Sequence, residues 1–166
     1  MFVLGIDPGL TTTGYGVIDN SGRVPEAVAA GVIRTDASML TAARLAEIHR
    51  DISGLIADFT PATAAIEEVF VNRNRGTAMA VGRASGVIML AMEQADVSVT
   101  EYSPSAVKMA LTGYGSAGKE QVADVVAMRL KLKTPPQPAD AADALAIALC
   151  HLQNEPMRRA IEGANR

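Results

Sequence analysis

The stretch Leu4-Gly-Ile-Asp-Pro-Gly9 ends an apolar run with a carboxylate, and two later segments repeat this arrangement. They are Ala64-Ala-Ile-Glu-Glu68 and Ala139-Asp-Ala-Ala-Asp-Ala144. An ionised acid beside an apolar run costs free energy unless it is paired or binds a cation. Few cationic side chains lie in the same segments, so a metal site is the natural explanation for these acids.

The composition of the 166-residue chain is that of one compact globular domain. Hydrophobic residues make up 49% and charged residues 20% of the chain, which is ordinary for a protein with a substantial core. The net charge of −3 argues against a protein that coats nucleic acid with its whole surface. It leaves room for a local basic patch around an acidic centre.

Neither the first residues nor the cysteine content indicates secretion. The chain opens with a strand-like segment, without a basic region, a cleavage site or an apolar stretch long enough to cross a membrane. The single cysteine, Cys150, cannot form an internal disulfide and lies in an apolar segment, where a buried, inert thiol is expected. The predicted location is the reducing cytoplasm.

The apolar pattern predicts three strands, a helix, a strand, a helix, a strand and further helices. Strands are expected at Phe2 to Asp7, Thr13 to Asp19, about Val28 to Thr35, Ala62 to Val69 and Val97 to Tyr102. Helices are expected up to Phe59 with Asp36 or Ser38 as cap, from Gly76 to about Gln94, from Ser103-Pro104, from Lys119 to about Lys131 and from Asp140 to about Leu152. This order favours a mixed sheet covered on both faces, in one domain of residues 1–152 with a flexible tail, residues 153–166.

The predicted elements bring some of the acids together. Asp7 lies at the carboxyl end of the first strand, where ligands tend to bind in layered α/β proteins. Glu67 and Glu68 are adjacent on a strand and point to opposite faces, so at most one joins Asp7, and alternation alone does not say which. Asp140 and Asp143 share a face of a helix's first turn, although, taken alone, solvated partners of the helix dipole are the simpler interpretation.

The motif order resembles that of the RuvC family of Holliday junction resolvases. The likeness extends through Glu67-Glu-Val-Phe70 and Gly115-Ser-Ala-Gly-Lys119 to about His151. It implies an α/β, ribonuclease H-like fold with a five-stranded mixed sheet flanked by helices on both faces.

The resemblance also implies a set of metal ligands. The ligand positions match Asp7, Glu67, Asp140 and Asp143, and this match selects Glu67 over its neighbour. Some family members carry a histidine at the position of Asp140. Carboxylate oxygens without cysteine or a nearby histidine suit Mg²⁺ or Mn²⁺ rather than Zn²⁺. Two ions roughly 4 Å apart, bridged by Asp7, could activate a water and stabilise the departing oxygen of a phosphodiester.

The activity implied by the resemblance is that of a crossover junction endodeoxyribonuclease. Such an enzyme resolves four-way DNA junctions by paired, symmetric nicks in strands of like polarity, during recombination and DNA repair. The products carry a 5′-phosphate and a 3′-hydroxyl. The family further implies a homodimer, since two matched cuts require two sites, and the branch-migration complex RuvA-RuvB as a partner.

Five residues are candidates for contacts with DNA. Arg73 and Arg75 follow the Glu-Glu strand directly and could meet phosphates, although a solvated loop is an equally good interpretation of either arginine. By the resemblance, Phe70 stacks on a base near the junction centre, where core packing is the competing role. Lys108 and Lys119 match family lysines that contact DNA near the scissile phosphate.

The second predicted helix carries a hint of a dimer. Gly82 and Gly86, with Met79 and Leu90 at helical spacing, give it a smooth apolar face that a partner could approach. Packing on the chain's own sheet is the more economical interpretation. His49 and His151 are assigned no catalytic role, and a surface position near a helix end is expected for His151.

Three features of the sequence suggest other functions. Gly113-Tyr-Gly-Ser-Ala-Gly-Lys119 has P-loop spacing, but Glu120 replaces the required Ser or Thr and a helix-like segment precedes it, which excludes nucleotide binding there. The opening hairpin also resembles that of actin-like ATPases and sugar kinases, which need two such domains. The remaining alternative is a catalytically silent junction-binding module.

Overall fold

The computed structural model describes residues 1–69 and 75–164, and the side chains within these ranges except those of residue 75 and residues 156–164. The strands are β1 (Phe2–Asp7), β2 (Thr12–Asp19), β3 (Glu26–Arg34), β4 (Thr63–Glu67) and β5 (Val99–Tyr102). The helices are α1 (Thr41–Phe59), α2 (Arg75–Glu93), α3 (Pro104–Thr112), α4 (Lys119–Arg129) and α5 (Ala139–Ala164). The element order predicted from the sequence is confirmed.

The five strands form one mixed sheet in the order β3-β2-β1-β4-β5. The β1–β2 and β2–β3 pairs are antiparallel, whereas β1–β4 and β4–β5 are parallel. Alternate residues of each strand enter two separate cores. Val3 and Ala65 pack with α3, α4 and α5 on one face, while Leu4 and Ile66 pack with α1 and α2 on the other. Helices therefore flank both faces, as predicted.

Helix α5 lies directly on the backbone of β1 and β2 because three glycines leave room for it. A Cβ atom on Gly5 would overlap the carbonyl oxygen of Ala144, and one on Gly14 would overlap that of Asp140. A Cβ atom on Gly16 would lie 2.7 Å from Cγ of Leu145. This close approach brings the acidic first turn of α5 to the carboxyl end of β1.

The ends of two helices differ from the prediction. Helix α1 has Leu40 at its N-cap without a side-chain capping bond, and Asp36 instead accepts a hydrogen bond from the Ser38 amide at 2.8 Å, within the preceding turn. Helix α5 does not end near Leu152 but continues to Ala164. The apolar pattern stops at Gln153, but its amide oxygen accepts a bond from Arg129 at 2.8 Å, which ties this turn to α4.

The expected surface position of His151 was wrong. Its side chain is 1% exposed, and the ring nitrogens lie 3.0 Å from Oγ1 of Thr63 and 3.1 Å from the hydroxyl of Tyr102. These polar partners satisfy the imidazole inside the core, which a sequence pattern does not reveal. Among the described residues, no helix combines the length and apolar character needed to cross a membrane.

Candidate functional site

The pairing of β1 with β4 brings two of the predicted acids together. The strands are parallel, and the last paired residues are Ile6 and Ile66. The next residue of each strand is Asp7 or Glu67, and both side chains line one cleft. Glu68 is exposed and does not line the cleft, although its amide continues the ladder by donating to the Tyr102 carbonyl at 2.9 Å. The strand register thus places Glu67, and not Glu68, beside Asp7, which alternation alone leaves open.

Helix α5 adds a third acid and two other helices add lysines. Asp143 lines the same cleft, together with Lys108 of α3 and Lys119 of α4. The remaining wall is largely apolar and consists of Pro104, Val107, Val122 and Ala146. Three acids, two bases and an apolar wall therefore converge at the carboxyl ends of β1 and β4.

One lysine and one acid of the cleft form an ion pair. The Nζ atom of Lys119 donates a hydrogen bond to Oδ2 of Asp143 at 2.8 Å. This bond is the main reason why the pKa of Lys119 is raised above its ordinary value. The lysine side chain is 77% exposed and that of Asp143 is 24% exposed, so the lysine can leave the acid without disturbing the core.

The acids repel one another across the cleft. Burial, followed by the negative charges of Glu67, Asp143 and Asp140, raises the pKa of Asp7 to about 7. Burial also raises the pKa of Glu67, with the charge of Asp143 as the second cause. Since each shift reflects a carboxylate that is difficult to ionise, a cation placed among these oxygens would relieve the repulsion.

Asp140 has a less direct position than its partner in the motif. It does not line the cleft, although its charge contributes to the raised pKa of Asp7 and of Lys119. Its carbonyl oxygen lies against Gly14, where a Cβ atom would overlap it. The structure therefore brings Asp7, Glu67 and Asp143 together and leaves Asp140 beside them.

The donor set fits a hard divalent cation. As the side chains stand, no three acidic, histidine or cysteine side chains in the described ranges are close enough to hold one ion together. The Lys119 ammonium lies on Asp143 in this arrangement. The cleft acids offer only carboxylate oxygens, which are the donors that Mg²⁺ and Mn²⁺ prefer. Burial and, after it, the neighbouring negative charges raise the pKa of Asp7, and such an ion would offset both.

The predicted DNA contacts are described only in part. Phe70 and Arg73 lie outside the described residues. Arg75 begins α2, and its side chain also lies outside the described part of the chain. Lys108 and Lys119 both line the acidic cleft, so among the described side chains the basic groups of the cleft come from α3 and α4.

The loop with P-loop spacing has the wrong surroundings for a nucleotide. It begins at Gly113, which ends α3 in the left-handed conformation with φ of 79°, and it leads into α4 at Lys119. A helix precedes the loop where a P-loop requires a strand. The rejection of nucleotide binding at this loop agrees with the observed elements.

The chain matches the family model of the crossover junction endodeoxyribonuclease RuvC over residues 3–151. The chain belongs to the RuvC family. The matched residues include all four acids and both cleft lysines. A RuvC from Chloroflexus aggregans is 46% identical over 94% of this chain and 95% of its own length.

Solved RuvC structures show the same fold. The Thermus thermophilus RuvC in complex with a Holliday junction substrate superposes with a TM-score of 0.89 at 39% identity, covering 95% of this chain and 96% of that one. The yeast mitochondrial Holliday junction resolvase has a TM-score of 0.62 at 14% identity, covering 97% of this chain and 85% of that one. The fold is thus the ribonuclease H-like α/β fold that the sequence predicts.

Sequence reasoning missed one polar residue of this RuvC-family chain. Arg44 of α1 is 8% exposed and occupies the helix face that also buries Ile48, Ile52 and Ile56. The four residues recur at intervals of four, so an arginine at an apolar position of the helix was the available signal. Its hydrogen-bond partners are Thr11, in the turn that follows Asp7, and Thr35, which follows β3.

Proposed function

We propose that this protein is a metal-dependent endonuclease that resolves four-way DNA junctions. The observation that carries the proposal is the convergence of Asp7, Glu67 and Asp143 in one cleft with Lys108 and Lys119. Membership of the RuvC family supports it, as does a solved relative in complex with a Holliday junction. Acids alone would repel a phosphodiester, so the combination of acids with lysines favours cation-assisted cleavage over simple DNA binding.

The residues that would hold Mg²⁺ or Mn²⁺ are Asp7, Glu67 and Asp143, with Asp140 completing the set for two ions. When bound, the ions supply an activated water and neutralise charge on the departing oxygen. Asp7 contributes oxygens from the centre of the acids and must be ionised to do so, which its raised pKa opposes until positive charge is present. Val107 and Ala146 line the apolar wall that limits access of other water to the scissile group.

The two lysines orient the phosphate. Lys108 lines the cleft near enough to Glu67 for its charge to offset a small part of the rise in the pKa of that acid. Lys119 is mostly exposed and bonds to Asp143; it would release this carboxylate to bind a phosphate oxygen, which would leave Asp143 available to hold a cation. Both lysines position the DNA backbone without reading its sequence.

Paired symmetric nicks require two such clefts, which a two-fold homodimer provides. Helix α2 supports this assembly because its proposed face is not packed on the sheet, contrary to the more economical interpretation of the sequence. Gly82 and Gly86 are exposed, and Met79 and Leu90 are 58% and 50% exposed. An apolar stripe around two exposed glycines fits close approach of a second copy of the helix.

The protein partner and the cellular location follow from the family relationship and from the single cysteine. The family relationship favours cooperation with the RuvA-RuvB branch-migration complex. The buried Cys150, whose pKa burial raises to about 11, is compatible with the reducing cytoplasm that we propose as its location.

The decisive experiment compares a labelled four-way junction with a plain duplex of the same sequence, in Mg²⁺, in Mn²⁺ and in chelator. The parent protein should introduce paired symmetric nicks in the junction only when metal is present. Asp7→Asn should bind the junction without nicking it, whereas Asp124→Asn, at an exposed position on α4, should nick at the parental rate. Junction binding without nicks in either metal would identify a silent module instead, and equal cleavage of the duplex would refute junction specificity.

Light scattering tests the dimer separately. Leu90→Lys should yield a monomer that binds junctions weakly and no longer makes paired cuts. Met128→Lys is the matched control, since Met128 is also an exposed apolar residue, at 70%, but lies on α4. A monomeric parent protein that still makes paired cuts would contradict the proposed assembly.

A further inference from the structure

The turn that connects Asp7 to β2 is closed by its own side chains. Residues 8–11 form this turn between β1 and β2. The hydroxyl of Thr13 donates to the carbonyl of Gly9 at 2.6 Å and accepts from the Gly9 amide at 3.4 Å. These bonds close one end of the turn but leave the carbonyls of Leu10 and Thr11 for partners elsewhere.

Those partners come from the residue that follows β3. The Thr35 hydroxyl donates to the Leu10 carbonyl at 2.6 Å, and the Thr35 amide donates to the Thr11 carbonyl at 3.1 Å. Thr35 is 6% exposed, so these bonds are protected from water. The turn after Asp7 is thereby fastened to the end of β3.

Arg44 locks this arrangement from α1. Its Nε atom donates to the Thr35 hydroxyl and its Nη2 atom donates to the Thr11 hydroxyl, each at 2.8 Å. Among the side chains that the structure describes, no carboxylate lies within ion-pair distance of the guanidinium. The charge of Arg44 is the smallest of the causes that act on the pKa of Asp36, so the main contribution of the guanidinium is the fixed direction of its donors.

The choice of arginine follows from this geometry. A guanidinium is a planar fork that donates in two directions from one rigid group, whereas a lysine ammonium on a flexible chain cannot hold two separate hydroxyls equally well. The turn also leads into Gly14, against which the backbone of Asp140 packs. A shift of the turn would therefore move Asp7 relative to the first turn of α5.

We propose that Arg44 is a positioning residue that, through Thr11 and Thr35, fixes the end of β1 that carries Asp7 relative to the first turn of α5, and so supports the binding of a divalent cation by Asp7 and Asp143. The inference rests on the proposed metal-dependent function and adds to it a residue on the opposite face of the sheet. Partners that orient metal ligands typically contribute ~10–100-fold to metal affinity or activity. Because Arg44 acts through a turn and does not touch an acid, we expect the lower end of that range.

The test uses Arg44→Lys, which keeps the charge, and Thr11→Val, which removes one bond at an exposed position where folding is tolerant. The control is Ile52→Val, or Ile52→Ala where a larger loss is needed to match the melting temperature of Arg44→Lys. Ile52 is fully buried on the same helix but does not contact the turn through a hydrogen bond. Any effect of lowered stability alone will therefore appear equally in the control.

The first readout is the rise in melting temperature as Mg²⁺ is added, which reports metal binding without catalysis. The half-saturating Mg²⁺ concentration should rise about tenfold in Arg44→Lys, less in Thr11→Val, and not at all in the Ile52 control. In chelator, the Thr35 amide should exchange its hydrogen faster in Arg44→Lys than in the control. Thr11→Val added to Arg44→Lys should produce no further loss of metal binding.

The second readout is junction cleavage, and it separates the two proposals. If the parent binds Mg²⁺ but does not cleave, the nuclease proposal fails while the role of Arg44 is still measured by the thermal titration. If Arg44→Lys and the Ile52 control show the same Mg²⁺ dependence, Arg44 only stabilises the fold and the inference is overturned. If Mg²⁺ and Mn²⁺ stabilise no form of the protein, both proposals are overturned.

Discussion

Replacing Asp7 with asparagine should stabilise the metal-free protein even though it removes cleavage. Asp7 is surrounded by Glu67, Asp143 and Asp140, and burial together with their charges raises its pKa from 3.8 to about 7. Ionisation of Asp7 therefore costs more free energy in the folded state than in the unfolded chain. An asparagine of nearly the same shape carries no charge, so the variant escapes this repulsion.

The size of the effect follows from the pKa of Asp7 in the folded and unfolded chain. A rise from 3.8 to about 7 is roughly three pKa units at about 1.4 kcal/mol each, which sets an upper limit of about 4 kcal/mol. An acid with a raised folded pKa costs no stability below about pH 3.8, and its cost grows until about pH 7. Above that pH, the cost is constant. The stability advantage of Asp7→Asn should therefore be about 4 kcal/mol at most at pH 8 and below about 2 kcal/mol at pH 5.

Urea unfolding in chelator, followed by far-ultraviolet circular dichroism at pH 5 and pH 8, measures this difference. Asp124→Asn serves as the control, because Asp124 is exposed on α4 and should show no comparable dependence on pH. Adding Mg²⁺ at pH 8 should reverse the order, since the ion stabilises only the protein that retains Asp7. An advantage of the same size at both pH values, or a variant less stable than the parent at pH 8, would refute the reasoning.

Three further predictions concern other residues. Glu67→Gln should slow junction cleavage by ~100-fold or more while Glu68→Gln leaves it unchanged, and equal rates in a single-turnover assay would contradict the strand register as the basis of the site. Gly14→Ala should lower the free energy of unfolding by about 1–3 kcal/mol and abolish cleavage, because the added methyl group overlaps the backbone of α5. In the same denaturation assay, Gly54→Ala, in open space on α1, should stabilise the protein by about 0.5–1 kcal/mol. A neutral result at Gly14 would show that α5 can move away. Cys150 has a pKa raised from 9.0 to about 11, so at pH 8 its thiolate population is roughly a hundredfold lower than that of an ordinary thiol, and a thiol reagent should label it in urea but not in the native protein; immediate native labelling would contradict its burial.

The sequence predicted the element order because each element has a strong local pattern. The apolar runs that end at Asp7 and at Glu67 identify buried strands, and Ser103-Pro104 marks a helix start that the Ser103 side chain does cap, at 3.2 Å from the Ala106 amide. The acids were identified because carboxylates conflict with apolar surroundings. Asp7 and Glu67 converge through strand pairing, and Asp143 joins them through the packing of α5 on β1 and β2; the motif order was the guide to this convergence.

Features that depend on tertiary contacts were beyond local patterns. Arg44 resembles an ordinary helix residue until the hydroxyls of Thr11 and Thr35 are placed beside it. The exposed face of α2 and the buried ring of His151 were misjudged for the same reason, since spacing does not tell which side of a helix meets the sheet. Just beyond Leu152, where the apolar pattern of α5 stops, Gln153 bonds to Arg129, which is distant in sequence.

The backbone contact between α5 and the strands beneath it has a consequence for how this protein can vary. At Gly5 and Gly14, backbone atoms of α5 pack directly on the strand backbone. A side chain added at either glycine therefore cannot be accommodated by a small rotation of a neighbouring side chain. Any ion of a different radius would have to be accommodated by rotation of the carboxylate side chains, because α5 cannot shift against the backbone beneath it. Substitutions should therefore be tolerated on the outer surface of α5 and hardly at all at the strand positions that it covers.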